Sequence, residues 1–375
     1  MSVKRRADTD RWEVRWRDGG HNRSRSFRCR RDAVTFWHEV ERRKQLGELA
    51  PLAAGDLTLG ELVELWWRDY AVPTLAENTR RVYRHVWAKH AFTALGAYRL
   101  RDLNPLELDR FRADLASRGV GDPTIVKTLT MLQSVLGSAV RWGLLSSNPV
   151  KHVTKPSQRP SREIAPLSPR VVESLIGPLI ERGQQRDAVA IAVLAYAGLR
   201  PGELLALRWS WIGERSITVR GAVAFGTEKQ TKTGRSRSVR LLQPLLDDLR
   251  RFREGTQSEE SALVLPSPDG EAWREHDWRN WRRRVFQPVA AAIGQAGARP
   301  YDLRHSFVSL LIHEGVSILQ VAAEAGHSPQ TCLSRYAHVF AEFDPADRRP
   351  AEDVIYEARR ETDVRSTYAA EELAA

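Results

Sequence analysis

Helix-start signals recur from residue 58 to residue 329, and they restrict the fold more than any other feature of the chain. Thr58 and Glu61 have capping-box spacing, in which a hydroxyl and a carboxylate satisfy each other's backbone N–H groups. Thr74 with Glu77 has the same form and predicts a second start. Asp122-Pro123, Ser168-Pro169 and Ser328-Pro329 each set a small polar residue before a proline whose fixed φ suits a first helical turn. Asp302 reads as the cap of a helix reaching His313. Apolar residues follow at helical spacing: Leu62, Leu65 and Trp66, then Leu129, Leu132, Val135 and Leu136, then a buried run from Asp187 to Ala197 stopped by Gly198. Strand-like alternation is confined to a few short stretches, so the predicted class is mainly α with small β-sheets.

Those stretches divide the chain. In residues 1–50, Trp12, Val14 and Trp16 alternate with Glu13, Arg15 and Arg17, Asp18-Gly19-Gly20 reads as a turn, and residues 23–29 as the returning strand. A helix from Arg31 to Leu46 completes this β-rich module, and residues 51–55 form a linker after it. Residues 56–150 read as a helical domain closed by Asn148-Pro149, and 151–166, with Pro156, Pro160 and Pro166, as a second linker. Residues 167–345 are helical with a short inserted sheet: Ile217, Val219, Val223 and Phe225 in one part, Ser236 to Leu241 in another. The tail, 346–375, holds one helix, Ala351 to Arg360, with little core of its own. Its amphipathic Val354, Ile355 and Tyr356 predict docking on a neighbouring subunit.

Net charge is +11 and the pI about 10.0, a balance that favours a polyanionic partner, nucleic acid before an acidic membrane surface. Eight of the 58 basic residues are lysines. The arginine fork matches pairs of phosphate oxygens, although a GC-rich coding sequence gives the same bias. Arginines crowd the first module (Arg5, Arg6, Arg11, Arg23, Arg25, Arg28, Arg30, Arg31), which suits either a strand pair in a DNA groove or a solvated hairpin. Cys29 and Cys332 have neither metal nor disulfide spacing, as in a reducing bacterial cytoplasm, and no apolar run is long enough for a bilayer.

One ordered series carries chemistry: Ala197-Gly198-Leu199-Arg200-Pro201-Gly202-Glu203-Leu204, Tyr301-Asp302-Leu303-Arg304-His305, Gly326-His327, and Tyr336 nine residues on. Two arginines and a histidine near a tyrosine can hold a phosphodiester, neutralise the charge that builds on it, and let a phenolate attack it. With Thr231-Lys232-Thr233 and Arg335-Tyr336-Ala337-His338, the series resembles the tyrosine recombinases, the phage integrase family. The helical domain is similar to that family's core-binding domain, and residues 1–50 to its arm-binding module. The resemblance implies a mixed α+β catalytic domain from 167 to 345.

On that resemblance Arg200 and Arg304 stabilise the transition state, in which the phosphoryl oxygens carry more charge than at rest. Tyr336 is the nucleophile, its ionisation eased by the arginines. Lys232 is the general acid for the leaving 5′ hydroxyl, with Lys229 the rival. His327 donates a hydrogen bond to a phosphoryl oxygen, and Glu203 orients Arg200. The family usually has histidine three residues before its second arginine; here Tyr301 stands there, able to donate a hydrogen bond but carrying no positive charge. His305 and His338 are assigned to packing or helix ends, and His313, read as facing apolar residues of its helix, to a structural role. No metal and no cofactor is implied. The implied partners are double-stranded DNA at attachment or recombination sites, a homotetramer on that DNA, and accessory directionality or bending proteins. Two alternatives stay open: a type IB topoisomerase with similar chemistry, and a catalytically inactive DNA-binding regulator.

Overall fold

The structure is a computed structural model that describes residues 2–6, 10–18, 21–45, 56–157, 166–224, 226–230, 236–267, 269–342 and 345–362. Two compact units divide the chain, Met1–Ser161 and Arg162–Ala375. The observed class is the expected one, mainly helical with small sheets.

In the first unit three antiparallel strands lie in the order β1 (Ser2–Arg5), β2 (Trp12–Asp18), β3 (His21–Phe27). Val14 pairs with Val3 on one side and Arg25 on the other. The sequence predicted β2 and β3 but not β1, whose Ser-Val-Lys-Arg shows too little alternation. Val14 and Trp16 on the sheet and Ala33 and Val40 on the helix Arg30–Gln45 are buried together. Arg23, Arg28, Arg30 and Arg31 are exposed, whereas Arg25 is half-buried, its guanidinium 4.9 Å from the Phe36 ring centre.

The helical part begins as predicted. Thr58 N–H donates to Glu61 Oε2 at 2.8 Å and Glu61 N–H to Thr58 Oγ1 at 3.2 Å. Leu59, Leu62, Val63 and Trp66 then turn inward toward the long helix Asp122–Arg141, which ends beside Gly143. Thr74 is not a cap. The helix Leu59–Trp66 runs through a π-turn, Trp67–Ala71, into Val72–Thr74, and the next helix, Glu77–Val86, starts after Ala76. A second π-turn, Trp87–Ala91, carries that helix on into Phe92–Leu95. Each π-turn is one wide turn inside an otherwise continuous helix. Asn148 closes the bundle: its side-chain amide donates to the Gln133 carbonyl at 2.9 Å and its Oδ1 accepts from Val150 N–H at 3.1 Å. Val153, in the stretch read as a linker, is buried in this unit's core.

The second unit is built around the helix Gln185–Tyr196, buried at every residue from Ala188 to Tyr196. The helices Pro169–Glu181, Gln243–Thr256 and Pro300–His313 pack on it. Two small antiparallel sheets interrupt the helices. β4 (Ser216–Val219) pairs with β7 (Arg237–Arg240), and β5 (Gly221–Ala224) with β6 (Thr227–Gln230). Lys229 pairs through its backbone with Ala222, while Lys232 and Phe225 lie outside the described residues. A further helical stretch consists of Glu275–Trp281, a π-turn Arg282–Phe286, and Gln287–Ala292.

Asp302 does not cap its helix. Pro300–His313 starts after Arg299, and Asp302, three residues on, accepts from the Arg299 N–H at 2.8 Å. The tail helix Ala351–Glu361 is docked on its own unit. Ala351 and Ile355 join the core, Tyr356 Oη donates to Asp247 at 3.0 Å, and Arg359 donates to Asp248 at 2.7 Å and Glu173 at 3.3 Å. The carboxylates hold the Arg359 guanidinium charged despite its burial.

Candidate active site

Arg200 is set by the stop of the central helix. Gly198 ends Gln185–Tyr196 with φ +57°, and a Cβ there would lie 2.3 Å from the Phe307 ring, so only glycine fits. Its carbonyl, freed from helical bonding, accepts from Arg304 Nη1. Two residues on, Arg200 precedes the short helix Pro201–Leu204, whose Glu203 folds back on it. Glu203 Oε2 accepts from Arg200 N–H at 2.8 Å and Oε1 from Arg200 Nη1 at 2.7 Å. Arg200 Nη2 donates to the Gly326 carbonyl at 2.5 Å. Gly326, at φ +62°, ends the helix Ile318–Ala325, and a Cβ there would press to 3.1–3.2 Å against Arg237 and Arg200.

Arg237, on β7, has no counterpart among the residues singled out from the sequence. Its two Nη atoms each donate to a Glu203 oxygen at 2.7 Å, and its Nε to the Glu324 carbonyl at 3.0 Å. Glu203 is 4% exposed. Burial opposes its ionisation, but the hydrogen bonds and charge of Arg237, then Arg200, overcome this and hold the carboxyl at about 2. One carboxylate therefore holds two guanidiniums.

Arg304 comes from the helix Pro300–His313 and is fully buried. Burial first, then the Arg200 charge, bring its pKa down to about 10, which leaves it charged at neutral pH. Its Nη2 lies 3.2 Å from His327 Nε2. An arginine only donates, so Nε2 accepts and the ring proton of His327 sits on Nδ1. Arg304 Nε and His327 Nδ1 are both buried without a hydrogen-bond partner among the described residues. Buried donors of this kind are costly to leave without an acceptor. Burial, then Arg304 and Arg200, lower His327 to about 3, so at neutral pH it is a neutral imidazole.

Tyr336 lies in Pro329–Glu342, whose helical geometry breaks at Tyr336 itself (φ −120°, ψ 15°). Ser328 caps this helix, its Oγ accepting from Thr331 N–H at 3.1 Å. The Tyr336 ring is fully buried, stacked with the His327 ring at 6.3 Å between centres. Its Oη lies 2.5 Å from His305 Nδ1. The nearby arginines favour its ionisation but do not prevail in this state. Burial pushes the phenol well up, and the lowering by Arg304 is smaller. Tyr301 is half-buried one helical turn from His305, the rings 5.4 Å apart.

Arg200, Glu203, Arg304, His327 and Tyr336 are thus brought into one linked cluster, with Tyr301 beside it. Two members were not picked out by sequence. Arg237 is one arginine in an Arg-Ser-Arg-Ser run and carries no distinguishing signal. His305 was assigned to packing, although its position four residues after Tyr301 places both on one helix face. His313 is exposed at its helix end, with Nδ1 2.8 Å from the Ser309 carbonyl oxygen, rather than facing apolar residues. Among the described residues no three or more His, Cys, Asp or Glu side chains stand together as metal ligands. No helix among them is long and apolar enough to cross a membrane.

Residues 167–342 match the profile of the "Phage integrase family", and residues 58–116 that of "Phage integrase, N-terminal SAM-like domain". The chain is 28% identical over 287 residues to an "Integrase" of Streptomyces ambofaciens, covering 70% of this chain and 71% of the relative. It is also 28% identical over 278 residues to "Tyrosine recombinase XerC" of Mycobacterium bovis (strain BCG / Pasteur 1173P2), covering 70% and 88%. Among solved structures, the Tn1549 transposon integrase in complex with transposon right end DNA superposes with a TM-score of 0.64 at 17% identity, covering 75% of this chain and 95% of that one. A lambda integrase dimer bound to a COC' core site gives 0.57 at 15%, covering 92% and 95%. The fold is that of these solved integrases. The chain belongs to the phage integrase family of tyrosine recombinases.

Proposed function

We propose that this protein is a site-specific recombinase that cleaves and rejoins double-stranded DNA through a 3′-phosphotyrosyl intermediate, integrating or excising a mobile element. The observation that carries the reading is the junction of Arg304 with His327 at 3.2 Å, under a Tyr336 ring stacked on that same histidine. A backbone phosphate bound there meets the Arg200 and Arg304 forks and the unpaired Arg304 Nε and His327 Nδ1 donors. Fixed donors of this kind favour the pentavalent phosphorus over the resting diester.

In this mechanism Tyr336 Oη attacks phosphorus and the 5′ oxygen leaves, taking a proton from Lys232, the only lysine besides Lys229 in the second half of the chain. The aryl phosphodiester keeps the bond energy, so a 5′ hydroxyl from another strand reverses the step without ATP. Tyr301, in place of the family's usual histidine, contributes a hydroxyl to the pocket; the arginines carry the charge stabilisation. Solved lambda integrase assemblies include a tetramer bound to a Holliday junction. We assign this chain the same order of assembly, four subunits around two duplexes, with target choice and direction set by attachment sites and accessory proteins. The exposed arginines of the N-terminal sheet serve as a second DNA contact.

The test is to trap the covalent complex on nicked suicide duplexes that tile the DNA flanking the encoding gene. Retention of labelled DNA by the parent and none by Tyr336→Phe supports the reading. Relaxation of supercoiled plasmid lacking any flanking sequence favours a topoisomerase instead, and binding without a covalent complex favours an inactive regulator.

A further inference from the structure

We propose that His305 is the catalytic base of the cleavage step, its Nδ1 receiving the phenol proton of Tyr336 as the tyrosyl–phosphorus bond forms. The proposal rests on the reading of Tyr336 as nucleophile and adds the destination of its proton.

Three observations lead to it. His305 Nδ1 and Tyr336 Oη are 2.5 Å apart, within direct hydrogen-bond reach of each other. Both rings are removed from water, His305 at 5% and Tyr336 at 0% exposure, so bulk solvent is a poor acceptor for this proton. His305 also follows Tyr301 by one helical turn. The two rings share one helix face, 5.4 Å apart, which places a second hydroxyl beside the His305 imidazole.

The surroundings set when transfer occurs. His305 faces Asp302 and Arg304 from its own helix, Tyr301 one turn before it, and Arg335 and Tyr336 from Pro329–Glu342. Burial, with Arg335 and Arg304 and against Asp302, lowers it to about 4, which keeps Nδ1 unprotonated and able to accept in the Nε2–H tautomer. Burial also holds the phenol in its protonated form. The resting pair is therefore neutral, and Tyr336 is not a free phenolate. A phosphodiester in the arginine pocket changes this, because the added charge of the pentavalent phosphorus stabilises an imidazolium beside it.

The step balances. The Oη–P bond forms and the P–O5′ bond breaks. The phenol proton moves to Nδ1, and the leaving 5′ oxygen takes its proton from the general acid. In rejoining, the 5′ hydroxyl attacks, the Oη–P bond breaks, and the His305 imidazolium returns its proton to Oη.

The test uses the full chain and the same nicked suicide duplexes, measuring single-turnover formation of the covalent complex. His305→Asn keeps an acceptor atom near the place of Nδ1 but not its basicity. The expected result is a rate lower by about 10² or more, with DNA binding and melting temperature near those of the parent. A 5′-bridging phosphorothiolate duplex, whose leaving group needs no acid, restores Lys232→Ala but not His305→Asn. Placing 3,5-difluorotyrosine at position 336 makes the phenol more acidic and shrinks the His305→Asn deficit; a role in positioning alone leaves that deficit unchanged. A His305→Asn rate within about threefold of the parent, or a deficit untouched by the fluorinated tyrosine, overturns the proposal. Should the asparagine variant lose its melting transition, His305→Gln is read against the same criteria. A covalent complex formed by Tyr336→Phe, or none by the parent on any duplex, overturns instead the nucleophile assignment on which the proposal rests.

Discussion

Arg237 grips Glu203 with both Nη atoms, each 2.7 Å from a carboxylate oxygen, in a pocket from which water is nearly excluded. The same carboxylate receives Arg200, so the position of the Arg200 fork depends on a second arginine, Arg237. Replacing Glu203 by Gln leaves two guanidiniums competing for one neutral amide. Breaking a buried pair in this way costs about 3–5 kcal/mol of stability. Thermal denaturation of Glu203→Gln checks that loss. Arg237→Lys, which keeps the charge but not the fork, is expected to slow covalent-complex formation more than it weakens DNA binding.

Acid should weaken the catalytic unit in two stages. His305 and His327 have folded pKa values of about 4 and about 3, below the usual histidine value of about 6.5. Both are lowered first by burial, His305 then by Arg335 and Arg304 against Asp302, and His327 then by Arg304, Arg200, Arg335 and His305. The unfolded chain binds these protons more readily, so their contribution is complete above about pH 6.5 and is lost as pH falls toward 4 and 3. Glu203, held at about 2, adds a contribution present above its unfolded value and lost below about pH 4.3. Urea midpoints measured from pH 7 to pH 3 should fall throughout, and His305→Asn should flatten the upper part of the curve.

Gly198→Ala is expected to damage both stability and chemistry. The added methyl meets the Phe307 ring at 2.3 Å and the backbone is left-handed there, so the turn that offers its carbonyl to Arg304 must shift. A loss above about 1 kcal/mol follows from the φ alone. Gly183→Ala, where φ is +70° but nothing lies within 4 Å, serves as the control for backbone conformation without the clash. The difference between the two melting temperatures measures the Phe307 contact.

The tail helix is a structural part of its own catalytic unit. Arg359 is buried against Asp248 and Glu173, with Tyr196 donating to that same Glu173 at 2.7 Å. Arg359→Ala removes the buried cation that neutralises these carboxylates and is expected to cost about 3–5 kcal/mol. Calorimetry of the variant checks it. A change confined to assembly on DNA, with no loss of stability, would instead return the tail to the docking role predicted from its sequence.

Much of this fold is legible in the chain because helix caps are local. Thr58, Ser168 and Ser328 act through their own neighbours, so three or four residues suffice to recognise them. Thr74 misleads for the same reason: its spacing to Glu77 is right, but a π-turn carries the preceding helix past it, and an extra residue in one turn leaves little trace in the apolar pattern. β1 is invisible because its partner, not its composition, makes it a strand. In the site, Arg200, Glu203, Arg304, His327 and Tyr336 are readable from their motifs. Arg237 and His305 are not, because what distinguishes them is which buried atom they reach across 34 and 31 residues of chain.

Which oxygen becomes bonded to DNA decides the mechanism. Digesting the trapped covalent complex and sequencing the DNA-bearing peptide by mass spectrometry tests this directly. The predicted adduct is on Tyr336, preserved in Tyr301→Phe and abolished in Tyr336→Phe. An adduct on Tyr301, or one that survives Tyr336→Phe, contradicts it.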